Sequence, residues 1–318
     1  MQPDPANGLR KIPVAAFVAN APEELAVEVA AGAHGLEKRF IISDRIQKLG
    51  LALAGLTTNI HSGRVQIMGG GEMSYLTHLS KHERDDTLRS LDIENICCIL
   101  FTKGLEPPDD IRALAEENGL PLLRTPLLSS RAITLVTDFL QEQLAPQMTI
   151  HGVLLEMYGV GVLLIGDSGI GKSECALDLI TRGHRLVSDD SVLLKKIGSQ
   201  VEGESPDLTR EHLEIRGIGI VNVSDLFGVS SVGERIEVEL VIELRKWELA
   251  GEIDRLGIDP LEAELFDIHV PKHILPVSPG RNLSVLVETA VRSFLQKRSG
   301  SDGVKSMLEA HAAKVQTN

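Results

Sequence analysis

The stretch Gly166-Asp167-Ser168-Gly169-Ile170-Gly171-Lys172-Ser173, GDSGIGKS, decides how the second half of this chain is read. It fits G-x-x-x-x-G-K-[ST] in full. That pattern describes a loop whose main-chain N–H groups turn inward around phosphate oxygens. An apolar run, VGVLLI, precedes it and an amphipathic run, SECALDLITRG, follows, so the setting is strand, loop, helix. The helix N-terminus adds a partial positive charge. In such a loop Lys172 reaches the outer phosphates of a nucleotide and the Ser173 hydroxyl holds Mg²⁺. The motif names a bound group. It leaves open whether the phosphoryl group goes to water, a metabolite or a protein.

The remainder of the second half reads mostly as strands. HGVLLEMYG and VGVLLIG flank Tyr158-Gly159 as in a hairpin, and RLVSD and SVLLKKI follow the loop's helix. HLEIRG, GIVNV and ERIEVELVIELRKW continue in strands. NLSVLVETAVRSFLQKRSG is a closing helix striped by Leu283, Leu286, Val287, Ala290, Val291 and Phe294 and stopped at Gly300. The first half alternates. IPVAAFVAN is expected as a strand and APEELAVEVAAGA as a helix. RFIISD, RVQIMGG, NICCILFTKG and LPLLRTP are expected as buried strands. Between them MSYLTHLSKHERDDTLRSL reads as helical, PPDDIRALAEENG as a helix ended by Gly119, and RAITLVTDFLQEQLAP as a helix with Val136, Phe139 and Leu140 on one face. The expectation is an α/β fold with two domains, residues 1–142 and 143–318.

Composition narrows the function. The chain of 318 residues carries 45 acidic and 32 basic residues, a formal charge of −13. That balance argues against non-specific binding of nucleic acid or an anionic membrane surface. No apolar run approaches the roughly 18 residues of a membrane span. The opening MQPDPANGLRK is polar with two prolines and reads as neither signal peptide nor helix. The three cysteines, Cys97, Cys98 and Cys175, have no metal-ligand spacing, and their scarcity suits a reduced, cytoplasmic protein.

Water as the acceptor is poorly supported. A GTPase would carry a base-reading N-K-x-D element, and none is present. DLFG (Asp225 to Gly228) and DRLG (Asp254 to Gly257) are too loose to count. Transfer needs a base, a carboxylate sharing the metal, and cations beside the moving group. Candidates are His151, the pair Asp189 and Asp190, Glu214 and Arg216 in LEIRGIGIVNV, Arg255 in EIDRLGID, and the loop PVSPGR (Pro276 to Arg281). Each also has a plain structural reading: a strand-opening histidine, a turn or helix cap, a strand with a glycine bulge, a surface ion pair, the cap of the last helix. On this ground alone, a kinase of a small hydroxylated metabolite and a non-catalytic nucleotide sensor stay open.

The same segments resemble the bifunctional HPr kinase/phosphorylase family. HGVLLEMYGVGVLLIGDSGIGKSECALDLITRGHRLVSDD, LEIRGIGIVNV and PVSPGRNL carry the resemblance in the second half. ILFTKGLEPPDDI, GLPLLRTPLLSSRAI and RVQIMGGGEMSYL carry it in the first. It implies a small N-terminal α/β domain joined to a P-loop kinase core similar to phosphoenolpyruvate carboxykinase, assembled as a homo-hexamer. It implies ATP as donor, Mg²⁺ or Mn²⁺ as cofactor, and a serine of the phosphocarrier protein HPr as acceptor. It also implies the reverse reaction, in which inorganic phosphate attacks phosphoserine-HPr and pyrophosphate leaves. The implied roles are nucleotide binding by Gly166 to Ser173, metal binding by Ser173 and Glu214, and charge stabilisation by Lys172. Asp190 becomes the acceptor-side acid and base, and His151 and Arg255 further active-site residues. Leu213 to Asn222 and Pro276 to Arg281 become functional segments.

Overall fold

The computed structural model describes residues 10–56, 60–247, 261–278 and 280–300. Expectations placed on Arg255, on DRLG, on Pro279 of the PVSPGR loop and on the first nine residues lie outside the described residues. The chain divides into two compact units, Met1–Pro146 and Gln147–Asn318.

The first unit is built on a five-stranded sheet. Its order is Glu28–Ala31, Leu122–Arg124, Cys98–Phe101, Val65–Met68, Gln47–Lys48. The last four strands run parallel and the first is antiparallel to its neighbour. Parallel strands are covered on both faces and so read as continuous apolar runs, which is why Cys98–Phe101 is buried throughout. Cys98 and Leu100 pack with Phe17, Val136 and Leu140 on one face. Ile99 and Phe101 pack with Leu76, Leu88 and Ile111 on the other. The helix Asp109–Asn118 starts after Pro108, carries two acids in its first turn and ends at Gly119 with φ 56°.

Two expectations in this unit are overturned. IPVAAFVAN is extended only at Ile12–Pro13, and Val14–Asn20 is a helix. Val14 and Phe17, three apart, are its buried residues, a helical spacing. APEELAVEVAAGA is not a helix. Pro22 caps a short 3-10 turn, Glu23–Leu25, left-handed Ala26 (φ 43°) stops it, and Glu28–Ala31 runs on as the edge strand. The helical stretch after residue 69 is two helices, Gly70–His78 and Lys81–Ser90, divided where Ser80 and Glu83 form a capping box.

The second unit carries a nine-stranded sheet. Val153–Met157 and Val160–Gly166 form the expected hairpin, and its two turn residues, Tyr158 (φ 54°) and Gly159 (φ 79°), are both left-handed. The sheet branches at the long strand Arg235–Lys246. That strand lies parallel to Val160–Gly166 and to Ile268–Val277, and its first residues pair antiparallel with Gln200–Glu204. Beyond Gln200–Glu204 come Ser191–Ile197 and Gln147–His151. The helices Lys172–Thr181 and Leu283–Arg298 cover one face, packing Cys175, Leu179, Val287 and Val291 on Val162, Leu164, Leu240 and Ile242. On the other face Leu154, Leu163 and Val241 meet Val192, Leu194 and Val201, so the sheet folds back on itself. The strands Gln147–His151, Gln200–Glu204, Leu261–Leu265 and Ile268–Val277 go beyond the sequence reading.

Two connections cross between the branches of this sheet. One passes through Gly152, between Gln147–His151 and Val153–Met157. The other passes through Asp189 and Asp190, between Arg185–Ser188 and Ser191–Ile197. They run side by side: Gly152 N donates to Asp190 O at 3.1 Å, and His151 pairs with Ser191 in the ladder. Only glycine fits at 152, because a Cβ there would lie 2.7 Å from Leu164 O.

Candidate active site

The loop Gly166–Ser173 leaves the end of the strand Val160–Gly166 and enters the helix Lys172–Thr181. Its shape depends on glycine. Gly169 and Gly171 have φ of 75° and 101°. A Cβ on Gly166 would sit 2.5 Å from Leu244 O on the adjoining parallel strand. Asp167, Ser168 and Gly169 are exposed, while Ile170 packs against the core below. Such a loop ending in a helix N-terminus favours an anion.

Lys172 is buried at the base of the loop. Its Nζ donates to Gly166 O at 2.9 Å and Asp167 O at 3.2 Å, and lies 3.2 Å from His151 Nε2. Burial lowers its pKa, while the carboxylates of Asp189, Asp190 and Asp167 oppose that shift. His151 Nδ1 lies 2.9 Å from Asp190 Oδ1 and 2.9 Å from Asp190 O. Both neighbours are acceptors, so Nδ1 carries the hydrogen. In the neutral ring Nε2 then holds a lone pair facing the Lys172 ammonium. His151 thus stands between the lysine and Asp190. Asp190 itself is left-handed, with φ 64°, and its carboxyl group is exposed at the crossing. Such non-glycine conformations cluster at functional sites.

Asp189 points the other way and is 3% exposed. Its Oδ1 accepts from Ser173 Oγ at 2.9 Å and its Oδ2 accepts from Glu214 N at 3.0 Å. Burial raises the Asp189 pKa, and those two hydrogen bonds work against the rise. Glu214 sits in the hairpin His212–Ile215 and Gly219–Asn222, with Leu213 and Ile215 buried and Glu214 exposed between them. One buried carboxylate therefore ties the loop's last hydroxyl to the backbone of the residue implied as its metal partner. Hard oxygen groups of this kind suit Mg²⁺. Among the described residues no three His, Cys, Asp or Glu side chains converge as a metal cage.

The sequence-derived residues thus gather as follows. Gly166 to Ser173, His151 and Asp190 adjoin, and Glu214 joins them through Asp189. Asp189 was a candidate in the sequence only as one of the pair, and the family resemblance implied no separate role for it. The pair SDD flagged both acids, but nothing in it says which one turns inward.

The model for the HPr Serine kinase C-terminal domain matches residues 142–311, and the model for the HPr Serine kinase N terminus matches residues 12–140. The HPr kinase/phosphorylase of Geobacter sulfurreducens is 45% identical over 293 residues, 92% of this chain and 92% of its own. The chain belongs to the HPr kinase/phosphorylase family. Another member, from Caldicellulosiruptor bescii, is 40% identical over 288 residues, 90% of this chain and 93% of its own. The solved structure of the Hpr(Ser) kinase/phosphatase from Coxiella burnetii is 40% identical and covers 52% of this chain and 98% of its own, with a TM-score of 0.46. In this member of the family, no helix among the described residues is long and apolar enough to cross a membrane.

Proposed function

We propose that this chain phosphorylates a serine of HPr with ATP, or pyrophosphate, as donor, and catalyses phosphorolysis of phosphoserine-HPr by inorganic phosphate. Family membership supports the substrate. The observation that carries the chemistry is the line Asp190–His151–Lys172, which sets an exposed carboxylate beside the phosphate loop.

In this reading the main-chain amides of Gly166 to Ser173 hold the donor's phosphates. Lys172 turns from the loop carbonyls to the phosphate oxygens and neutralises charge on the group in transfer. Asp190 accepts the proton of the incoming serine as the Oγ–P bond forms and the bond from phosphorus to the ADP oxygen breaks. In phosphorolysis an oxygen of inorganic phosphate attacks, pyrophosphate forms, and Asp190 returns a proton to the departing serine oxygen, as microscopic reversibility requires. His151 holds the Asp190 carboxylate in place through Nδ1. Ser173 and Glu214, positioned by Asp189, would hold Mg²⁺ or Mn²⁺, which neutralises phosphate charge when bound. Arg255 enters as a further active-site cation on the strength of the family pattern. The same pattern supports a cytoplasmic homo-hexamer.

The test is intact-mass measurement of HPr. Incubation with the purified chain, Mg²⁺ and ATP should add one phosphoryl group, and excess inorganic phosphate should then remove it with release of pyrophosphate. HPr that keeps its mass throughout would reject the reading. Label found on a small metabolite would favour a metabolite kinase.

A further inference from the structure

Strand order sets the acceptor carboxylate on one side of the phosphate loop. His151 and Asp190 lie on the crossings at the ends of Val153–Met157 and Arg185–Ser188, and those two strands flank Val160–Gly166 on one side only. On its other side run Arg235–Lys246 and then Ile268–Val277, both parallel to it. The three parallel strands therefore release their chains at one edge of the sheet. Gly166, Leu244 and Leu275 stand level there in the ladder. The first residue past Arg235–Lys246 is Trp247, and Arg281 follows a short way past Ile268–Val277.

Trp247 is the single tryptophan of the chain, and it is 50% exposed. The Arg281 guanidinium carbon lies 5.0 Å from the centre of its ring, a cation–π contact. Among the described residues Arg281 has no carboxylate partner, so the ring is its counter-group. The contact holds the indole without burying it. A large flat ring, fixed and half in water at the edge of the sheet that carries the phosphate loop, is placed for a ligand with a flat face.

The chemistry of transfer says which part of the donor comes there. In an in-line displacement the attacking and leaving oxygens lie on opposite sides of the phosphorus. Asp190 marks the side on which the serine oxygen arrives. The leaving oxygen, with the nucleoside it carries, then lies toward Arg235–Lys246 and Ile268–Val277, where Trp247 stands.

We propose that Trp247 is the platform on which the nucleobase of the donor stacks. This rests on the function proposed above. Stacking on an aromatic face tolerates any base. Trp247 therefore favours a nucleotide donor over bare pyrophosphate, rather than one base over another. The platform touches no reacting atom. It holds ground state and transition state alike, so it acts on KM and not on kcat. Phosphorolysis brings inorganic phosphate and phosphoserine to the site and no base, so it does not draw on Trp247.

The test follows both reactions in full-length Trp247→Ala and Trp247→Phe beside the unaltered chain, with equilibrium dialysis of ATP and of tripolyphosphate. Trp247→Ala should raise the KM for ATP by about 10- to 100-fold with kcat unchanged. Its affinity for ATP should fall by the same factor, while its affinity for tripolyphosphate, which has no base, should match the unaltered chain. Trp247→Phe, which keeps a smaller ring, should fall between. Phosphorolysis should run at the unaltered rate in both variants. An unchanged KM and Kd for ATP would overturn the proposal. So would a loss of phosphorolysis or tripolyphosphate binding as large as the loss of ATP binding, which would mark Trp247 as a support of the sheet edge. An unaltered chain that leaves HPr unmodified would reject the function proposed above; the dialysis needs no HPr and still decides the platform by the same outcomes.

Discussion

Ser173 and Asp189 face each other across a 2.9 Å hydrogen bond, the hydroxyl donating to a carboxylate that is almost wholly buried. The second oxygen of Asp189 accepts from Glu214 N, so one group orients both residues assigned to the divalent ion. Asparagine at 189 can offer an acceptor to only one of these donors and turns an NH₂ toward the other. Asp189→Asn should lower phosphotransfer by about 10- to 100-fold and raise the Mg²⁺ concentration needed for half-maximal rate. Its Tm should stay near wild type, because the substitution also removes a desolvated charge. Rates measured against Mg²⁺ concentration check this; an unchanged profile would contradict it.

In the proposed reaction Lys172 serves the site more than the fold. The helix it opens is anchored by Cys175, Ala176 and Leu179, and burial of the ammonium is itself unfavourable. Lys172→Ala should keep its circular dichroism spectrum and Tm while HPr phosphorylation falls by about 1,000-fold or more. A variant that transfers phosphate normally would remove the lysine from the mechanism.

Gly152 holds the two sheet crossings together. A Cβ there meets Leu164 O at 2.7 Å, a backbone atom that cannot swing aside. Gly152→Ala should destabilise the unit by about 1–3 kcal/mol and weaken transfer together with stability, since His151 and Asp190 flank the strained point. Thermal unfolding reads the first effect and the HPr mass assay the second. A Tm within a degree of wild type would show that the crossing yields.

The thiols should be inert. Cys97, Cys98 and Cys175 are all buried, and burial pushes Cys175 up to about 12. At pH 8 its thiolate fraction is therefore about 1 in 10,000. A disulfide-exchange reagent should titrate no thiol rapidly in the folded protein and all three after denaturation. Fast labelling of Cys175 would mean that the loop's helix opens.

Much of the site was legible because its signals are local. The phosphate loop needs glycines and a lysine in fixed order, and the Tyr158-Gly159 turn and the ends of Asp109–Asn118 are written in neighbouring residues. What was not legible depends on distant partners. Val14–Asn20 is apolar on several sides, so its period is blurred, and only the stripe of Val14 and Phe17 against the sheet shows it to be a helix. Glu28–Ala31 becomes a strand because Leu122–Arg124 offers it an edge, although its residues follow Pro22 and two acids as a helix start would. The run Ile268–Val277 contains two prolines and lies against Arg235–Lys246, a pairing that no local pattern announces. Asp189 and Asp190 are adjacent and chemically identical. Which one turns to Ser173 and which to His151 follows from the left-handed backbone of Asp190 at the crossing.

In the proposed mechanism one carboxylate, Asp190, manages the serine proton in both directions. Asp190→Asn keeps the shape of the side chain and removes its basicity, so the measurement is the rate of HPr phosphorylation from ATP and of phosphoserine-HPr phosphorolysis in that single variant. Both rates should fall together, by about 100- to 10,000-fold. Loss of one rate with the other intact would contradict the account.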